Sequence, residues 1–205
     1  MGKGELFVIS GPSGVGKGVI CKALVLSDPK ICVSVSATTR KPRPGEENGV
    51  SYFFVSREEF ERMIQAGELL EYMDVFGLNY YGTPKANVEK LIEEGTDVIL
   101  EIDVNGARNV KKVRAEAVTI FIAPPSMKSL KQRLVGRGTE TPEAVEKRFH
   151  KAEEEIRRMK EYDYVVVNDS LDSAIADVAS IIRAERLRGD KSRIAEDLIK
   201  EVESI

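Results

Sequence analysis

The chain has 205 residues, enough for one sizeable hydrophobic core or for a core carrying inserted subdomains. With 32% charged and 42% hydrophobic residues it reads as an ordinary soluble globule, and a formal net charge of −3 gives no broad positive field to attract a nucleic-acid polymer. No apolar stretch approaches the roughly 20 residues that cross a bilayer, and Lys3 and Glu5 before a short apolar run do not read as a signal peptide, so the expectation is a cytoplasmic protein with no membrane partner.

Leu6, Phe7, Val8 and Ile9 predict a buried strand that runs straight into GPSGVGK, Gly11 to Lys17. Four residues separate Gly11 from Gly16, and Lys17 follows, which is the skeleton of a phosphate-binding loop. Glycines let successive backbone N–H groups turn inward on a phosphate chain, and a following helix adds its positive end. A plain strand-to-helix turn would also use Gly and Pro, but here strand, spacing, lysine and a helix-like continuation over 19–26 occur together. Gly18 stands where such loops normally carry a Ser or Thr hydroxyl for the metal. Any Mg2+ is therefore expected to be held by nucleotide phosphates, water and a more distant carboxylate.

Residues 31–36 alternate in strand fashion, and SATTRKPRPGEENG follows over 36–49. Its prolines and glycines forbid a long helix, while Arg40, Lys41 and Arg43 among hydroxyls fit either anion capture or a solvated turn. Residues 50–55, with Tyr52, Phe53 and Phe54, predict a short strand; Ser56 with Glu59 predicts a capped helix through Gln65, ended by Gly67. Residues 69–75 and 78–81 predict two strands around Gly77, with Glu71 and Asp74 among apolar and aromatic neighbours. The stretch 36–83 thus reads as a small antiparallel piece with one helix, inserted into an alternating strand and helix pattern.

Pro84 opens the next predicted helix, which Gly95 stops. Val98, Ile99 and Leu100 read as a strand covered on both faces, leading to Glu101 and Asp103, two carboxylates on alternate residues at the end where open α/β sheets bind nucleotides. Residues 118–122 give another buried strand, and Ser126 caps a helix containing Lys128, Lys131 and Arg133. That helix runs out at GRGTET, 136–141, and Pro142 starts a long charged helix through Arg148 to about Lys160. Arg133 and Arg137 are a helical turn apart, with Arg148 across the hinge. Charge runs are usually solvated faces, but beside a phosphate loop these arginines predict a cationic lid. Residues 164–167 form the last strand, ending at Asn168, and 174–187 an amphipathic helix. The tail carries Ile194, Leu198, Ile199 and Val202 at helical spacing, for packing on the core or for self-association. Cys21 and Cys32 read as small buried hydrophobes, and His150, the only histidine, as a surface residue.

SATTRKPRPGEENGVSYFF, LLEYMDVFGLNYYGTP, ILEIDVNGA, IFIAPPS, LVGRGTET and VVVND together resemble the guanylate kinases, in that order and over roughly residues 4–187. The resemblance implies an α/β fold: a P-loop core with a parallel sheet flanked by helices (1–35, 84–125 and 158–205), an inserted mixed α/β GMP-binding subdomain (36–83) and a helical lid (126–157). It implies ATP-dependent phosphorylation of GMP to GDP, serving GMP recycling, with ATP and GMP as partners and Mg2+ accompanying ATP. Gly11, Pro12, Ser13, Gly14, Val15, Gly16, Lys17, Gly18 and Asn168 match the ATP side. Ser36, Glu71 and Thr83 match guanine contacts; Arg40, Arg43, Tyr52 and Tyr81 match contacts to the GMP phosphate; Glu101 and Asp103 match the junction between the nucleotides. Lys17, Arg40, Arg133, Arg137 and Arg148 match the catalytic cations. The segment between Glu71 and Tyr81 is one residue longer than the family pattern.

The chemistry of the bases agrees with that placement. Guanine offers two adjacent donors, N1–H and the exocyclic amine, to one carboxylate such as Glu71, whereas adenine presents an acceptor at N1. The mismatch is worth roughly 1–3 kcal/mol. Two rival readings stay open at this level, a kinase for AMP or a pyrimidine monophosphate and a non-catalytic interaction module of the kind found in scaffold proteins; a GTPase lacks support, because no Asn-Lys-x-Asp box is present and Gly18 has no hydroxyl for the metal.

Overall fold

The protein is described here by a computed structural model covering residues 3–75, 77–136, 141–189 and 193–204. Strand β1 (Leu6–Ser10) is buried along its whole length because it lies at the middle of a five-stranded parallel sheet. Around it lie β2 (Ile31–Val33), β7 (Asp97–Glu101), β8 (Val118–Ala123) and β9 (Tyr164–Val167), in the order β2-β7-β1-β8-β9. Side chains alternate across a strand, so Phe7 and Ile9 pack with Ile20 and Leu24 of α1 (Lys17–Ser27) and Val178 and Ile182 of α7 (Leu171–Arg186). Leu6 and Val8 pack on the opposite face with Val88 of α3 (Lys85–Glu93) and Val110 of α4 (Val104–Val113). Two covered faces explain why β1 is apolar without alternation.

A second sheet has the order β4-β3-β6-β5, formed by β3 (Ala37–Thr38), β4 (Phe53–Phe54), β5 (Leu69–Val75) and β6 (Asn79–Pro84). It is mixed, since β3 and β4 are parallel while β3–β6 and β5–β6 are antiparallel, which corrects the expected antiparallel piece. The expected strand over 31–36 is likewise two things. After Val33 the chain gives its last amide bond to the core, Ser34 N to Ile99 O, and enters the second sheet at Ala37. Of 50–55 only Phe53 and Phe54 form a strand, because the turn at Gly49, φ +80°, uses up the residues before them. At the hairpin tip Val75 pairs with Asn79 and Gly77 has φ +68°, while the β5–β6 register shifts between Leu69 and Tyr72.

The predicted caps are present. Ser56 accepts from Glu59 N ahead of α2 (Arg57–Gln65), and Ser126 accepts from Ser129 N ahead of α5 (Met127–Val135). Thr141 caps α6 (Pro142–Arg157), and Leu130, Leu134, Val145 and Ala152 join α5 to α6 in a small core of their own. The long helix stops at Arg157 and passes into a 3-10 turn, Met159–Glu161, short of the expected continuous run. The last helix, α8 (Arg193–Glu203), leaves Leu198, Ile199 and Val202 exposed.

Candidate active site

The carboxyl ends of β1, β7, β8 and β9 open on one side of the sheet, and the loops that follow them converge there. Gly11, Gly14 and Gly16 all have positive φ, at 138°, 85° and 101°. A side chain at each would also collide: with Ile122 O at 2.3 Å, Leu134 Cδ2 at 2.9 Å and Asn168 Nδ2 at 2.6 Å. The loop is therefore clasped by β8, α5 and the end of β9. Helix α1 follows Gly16 at its N-cap, with neither a side-chain cap nor an acidic residue in its first turn. Its positive end is left for an anion. The Lys17 ammonium bonds back to Gly11 O at 2.6 Å and Pro12 O at 3.2 Å. Burial pulls its pKa down, against the opposing pull of Glu101, Glu155 and Asp103.

Glu101 ends β7 and Asp103 caps α4 by accepting from Gly106 N at 2.9 Å. Both line a cavity of about 270 Å³ together with Gly11, Ser13, Lys17, Arg148, Lys151 and Glu155. Arg148 Nη1 donates to Ser13 Oγ at 3.2 Å, and Lys151 Nζ lies 3.5 Å from Asp103 Oδ2 and 3.7 Å from Glu155 Oε1. Lys151 and Glu155 were not among the expected residues. Their signal is the spacing from Arg148, three and then four residues along one face of α6. Glu155 is buried, which raises its pKa.

Against the first turn of α4, which Asp103 caps, lies a buried carboxylate. Glu71 of β5 is 7% exposed and accepts 2.7 Å from Thr83 Oγ1 on β6. Burial raises its pKa to about 7, with Asp103 adding to the rise and the Thr83 bond opposing it. A Cβ on Gly106 would stand 3.0 Å from Glu71 Oε2, so the glycine lets the first turn of α4 approach this carboxylate without displacing it. Farther along the second sheet, Arg40 Nε donates to Tyr81 OH at 3.2 Å and its guanidinium lies 5.4 Å from the Tyr52 ring centre. Tyr52 meets Tyr81 edge to face at 6.0 Å. Arg43 is exposed nearby, and Ser36, half-buried, precedes β3 and accepts from Phe53 N.

The site is thus a glycine nest with a lysine, a polar cavity, and a buried carboxylate followed by an aromatic and arginine cluster. The guanylate kinase family model matches residues 3–185, nearly the whole chain. The chain belongs to the guanylate kinase family. It is 55% identical over 186 residues to a guanylate kinase of Symbiobacterium thermophilum, covering 91% of this chain and 88% of that one. It is 51% identical over 201 residues to one from Clostridium perfringens, covering 98% and 92%. Among solved structures, a guanylate kinase from Anaplasma phagocytophilum superposes with a TM-score of 0.76 at 34% identity, covering 97% of this chain and 95% of that chain.

Of the expected residues, Glu71 meets Thr83 in the second sheet, Arg40, Tyr52 and Tyr81 cluster elsewhere on that sheet and its loops, and Lys17, Glu101, Asp103 and Arg148 line one cavity. Arg133 Nη2 donates to Asn168 O at 2.9 Å, tying α5 to the end of β9. The Asn168 side chain is committed inward, its Nδ2 2.7 Å from Val15 O. Arg137 lies outside the described residues.

For the metal, no group of three or more His, Cys, Asp or Glu side chains among the described residues could hold an ion. A Cβ at Gly18 would lie 3.4 Å from both Glu101 carboxylate oxygens. Beside the absent hydroxyl there is thus one carboxylate, a donor set that fits Mg2+ when phosphate and water oxygens supply most of its shell.

Proposed function

We propose that this chain transfers the terminal phosphoryl group of ATP to GMP, giving ADP and GDP. The observation that carries this reading is the buried Glu71, oriented by Thr83 and set against the first turn of α4, whose capping Asp103 lines the cavity beside the phosphate-binding loop. A carboxylate so placed accepts both guanine donors, and Ser36 and Thr83 complete the base contacts. Arg40, Arg43, Tyr52 and Tyr81 hold the acceptor phosphate. The backbone amides from Gly11 to Gly18 and the Lys17 ammonium take the ATP phosphates; for Lys17 this means exchanging its loop carbonyls for phosphate oxygens. Asn168 supports the loop from beneath.

Phosphoryl transfer asks for two anions in line and for positive charge around the migrating group. Arg133, Arg137 and Arg148 supply that charge in this reading, and Glu101 and Asp103 lie where the two phosphate chains meet. A bound Mg2+ would neutralise charge on the ATP oxygens, with Glu101 the side chain placed to meet its shell. No general base is needed, because the GMP phosphate is already anionic. The division into a core (1–35, 84–125 and 158–205), a GMP-binding subdomain (36–83) and a lid (126–157) belongs to the same proposal, since closure around two substrates excludes water. So do a cytoplasmic location, where both nucleotides are used, and self-association through the exposed Leu198, Ile199 and Val202 of α8, tested by sedimentation over a range of concentrations.

The test is a comparison of acceptors. With ATP and Mg2+ present, GMP is expected to yield ADP at least about tenfold faster than AMP or UMP at equal low concentration, the scale of one buried polar mismatch. Equal turnover of AMP would favour a broader monophosphate kinase. ATP binding with no GMP-dependent ADP would favour a non-catalytic module.

A further inference from the structure

Arg40, assigned above to the acceptor phosphate, is already heavily engaged. Glu46 grips it from the end of its fork, with Oε2 2.9 Å from Nη1 and Oε1 2.8 Å from Nη2. Nη1 also donates to Lys41 O at 2.8 Å and Nε to Tyr81 OH at 3.2 Å. Counting donors, one N–H remains without a partner among the described residues; it is on Nη2, on the side of the guanidinium plane that also carries Nε–H. The Tyr81 oxygen, accepting from Nε, keeps its own proton to donate into the same space.

Glu46 is itself fixed by local sequence. Arg43, Pro44, Gly45 and Glu46 form a turn closed by Glu46 N to Arg43 O at 3.0 Å, with proline at its second position and Gly45 at φ +84°. The turn folds the carboxylate back onto Arg43 N, 2.8 Å away, so the group that holds Arg40 is held by the segment carrying Arg43. Glu46 together with Lys41 O settles the Arg40 guanidinium over the Tyr52 and Phe54 rings, at 5.4 and 5.8 Å.

We propose that Glu46 is a positioning residue for the acceptor phosphate: it occupies the end of the Arg40 fork so that the remaining Nη2–H and the Tyr81 hydroxyl point together at the phosphate. The proposal rests on the reading of this subdomain as the GMP site. The opposite arrangement is physically simple, with the Glu46 carboxylate standing where the phosphate will sit and leaving when GMP arrives. The two differ in sign. A positioning carboxylate strengthens GMP binding, whereas a competing one weakens it.

Calorimetric affinities for GMP and for guanosine, with steady-state KM and kcat, on wild type, Glu46→Gln and Glu46→Ala distinguish them. The expected result is a GMP affinity and KM weakened roughly tenfold in Glu46→Gln and further in Glu46→Ala, the scale of one charged hydrogen bond and one re-ordered long side chain. Guanosine affinity, KM for ATP and kcat at saturating GMP are expected to stay within about twofold. GMP bound equally or more tightly by the variants overturns the proposal. So does an equal loss for guanosine, which would mean that the subdomain has merely loosened. If wild type binds guanosine but not GMP, the phosphate site is misplaced; if it binds neither, the reading of the subdomain itself fails.

Discussion

Thr83 and Glu71 face each other across the β5–β6 pair, the threonine hydroxyl donating to Glu71 Oε1 at 2.7 Å while the first turn of α4 closes on Oε2. One oxygen is oriented and the other is hemmed in, so the carboxylate has little freedom to turn away from a base. The same enclosure strips it of water and raises its pKa to about 7, from 4.5 for a free glutamate.

That shift predicts a pH dependence with a definite sign. Only ionised Glu71 accepts from both guanine donors, and in the free protein the ionised fraction grows as pH rises through about 7. Guanosine is the better probe, because a phosphate ester has its own ionisation near pH 6. Its affinity is expected to be about tenfold higher at pH 8 than at pH 6, and the slope to vanish in Glu71→Gln. Calorimetric titrations at several pH values check this; a flat wild-type profile would remove Glu71 from the base contact.

Gly106 predicts a variant that separates binding from stability. A methyl group there would stand 3.0 Å from Glu71 Oε2 and 3.3 Å from Ile102 Cδ1. Alanine favours the helix by roughly 0.5–1 kcal/mol over glycine, which offsets the crowding. Gly106→Ala is therefore expected to keep a thermal midpoint within about 3 °C of wild type while raising KM for GMP several-fold by displacing the carboxylate. Unchanged KM would show that Glu71 can move without consequence.

Gly18→Ser tests how the loop lives without its hydroxyl. A Cβ there meets the Glu101 oxygens at 3.4 Å, ordinary contact distance, so the variant is expected to fold normally. Its activity at varied free Mg2+ is expected to change by no more than about threefold, because phosphate and water oxygens dominate the shell of this ion. A large gain in activity would make Gly18 a defect in the loop.

Asn168→Ala removes the amide that reaches Val15 O from the far end of the chain. It leaves a buried carbonyl unpaired, at a cost of about 1–3 kcal/mol, read as a lower urea midpoint with an unchanged slope. The same change is expected to raise KM for ATP more than KM for GMP. The reverse order would mean that Asn168 serves the other nucleotide.

Local rules made much of this molecule legible. The run from Leu6 to Ile9 announced a central strand because both of its faces are covered, and the glycines from Gly11 to Gly16 announced the loop because each takes a backbone angle that other residues avoid. Ser56 and Ser126 marked helix starts because capping is settled within a few residues. What escaped depended on distant partners. Residues 31–36 look like one strand because nothing in their pattern tells which of two sheets each residue joins. Lys151 and Glu155 hid in a charged helix whose ordinary reading is a solvated face, and Glu46 in a polar loop. The inward turn of Asn168 joins residues 153 positions apart, beyond any local signal.

Turnover by wild type and Glu71→Gln with ATP, Mg2+ and GMP, with nucleotides separated and counted, tests the guanine-reading carboxylate most directly. Wild type is expected to form ADP and GDP in equal amounts, and Glu71→Gln to lose at least about tenfold in kcat/KM for GMP with its KM for ATP unchanged. No GDP from wild type, or a variant as efficient as wild type with GMP, would contradict it.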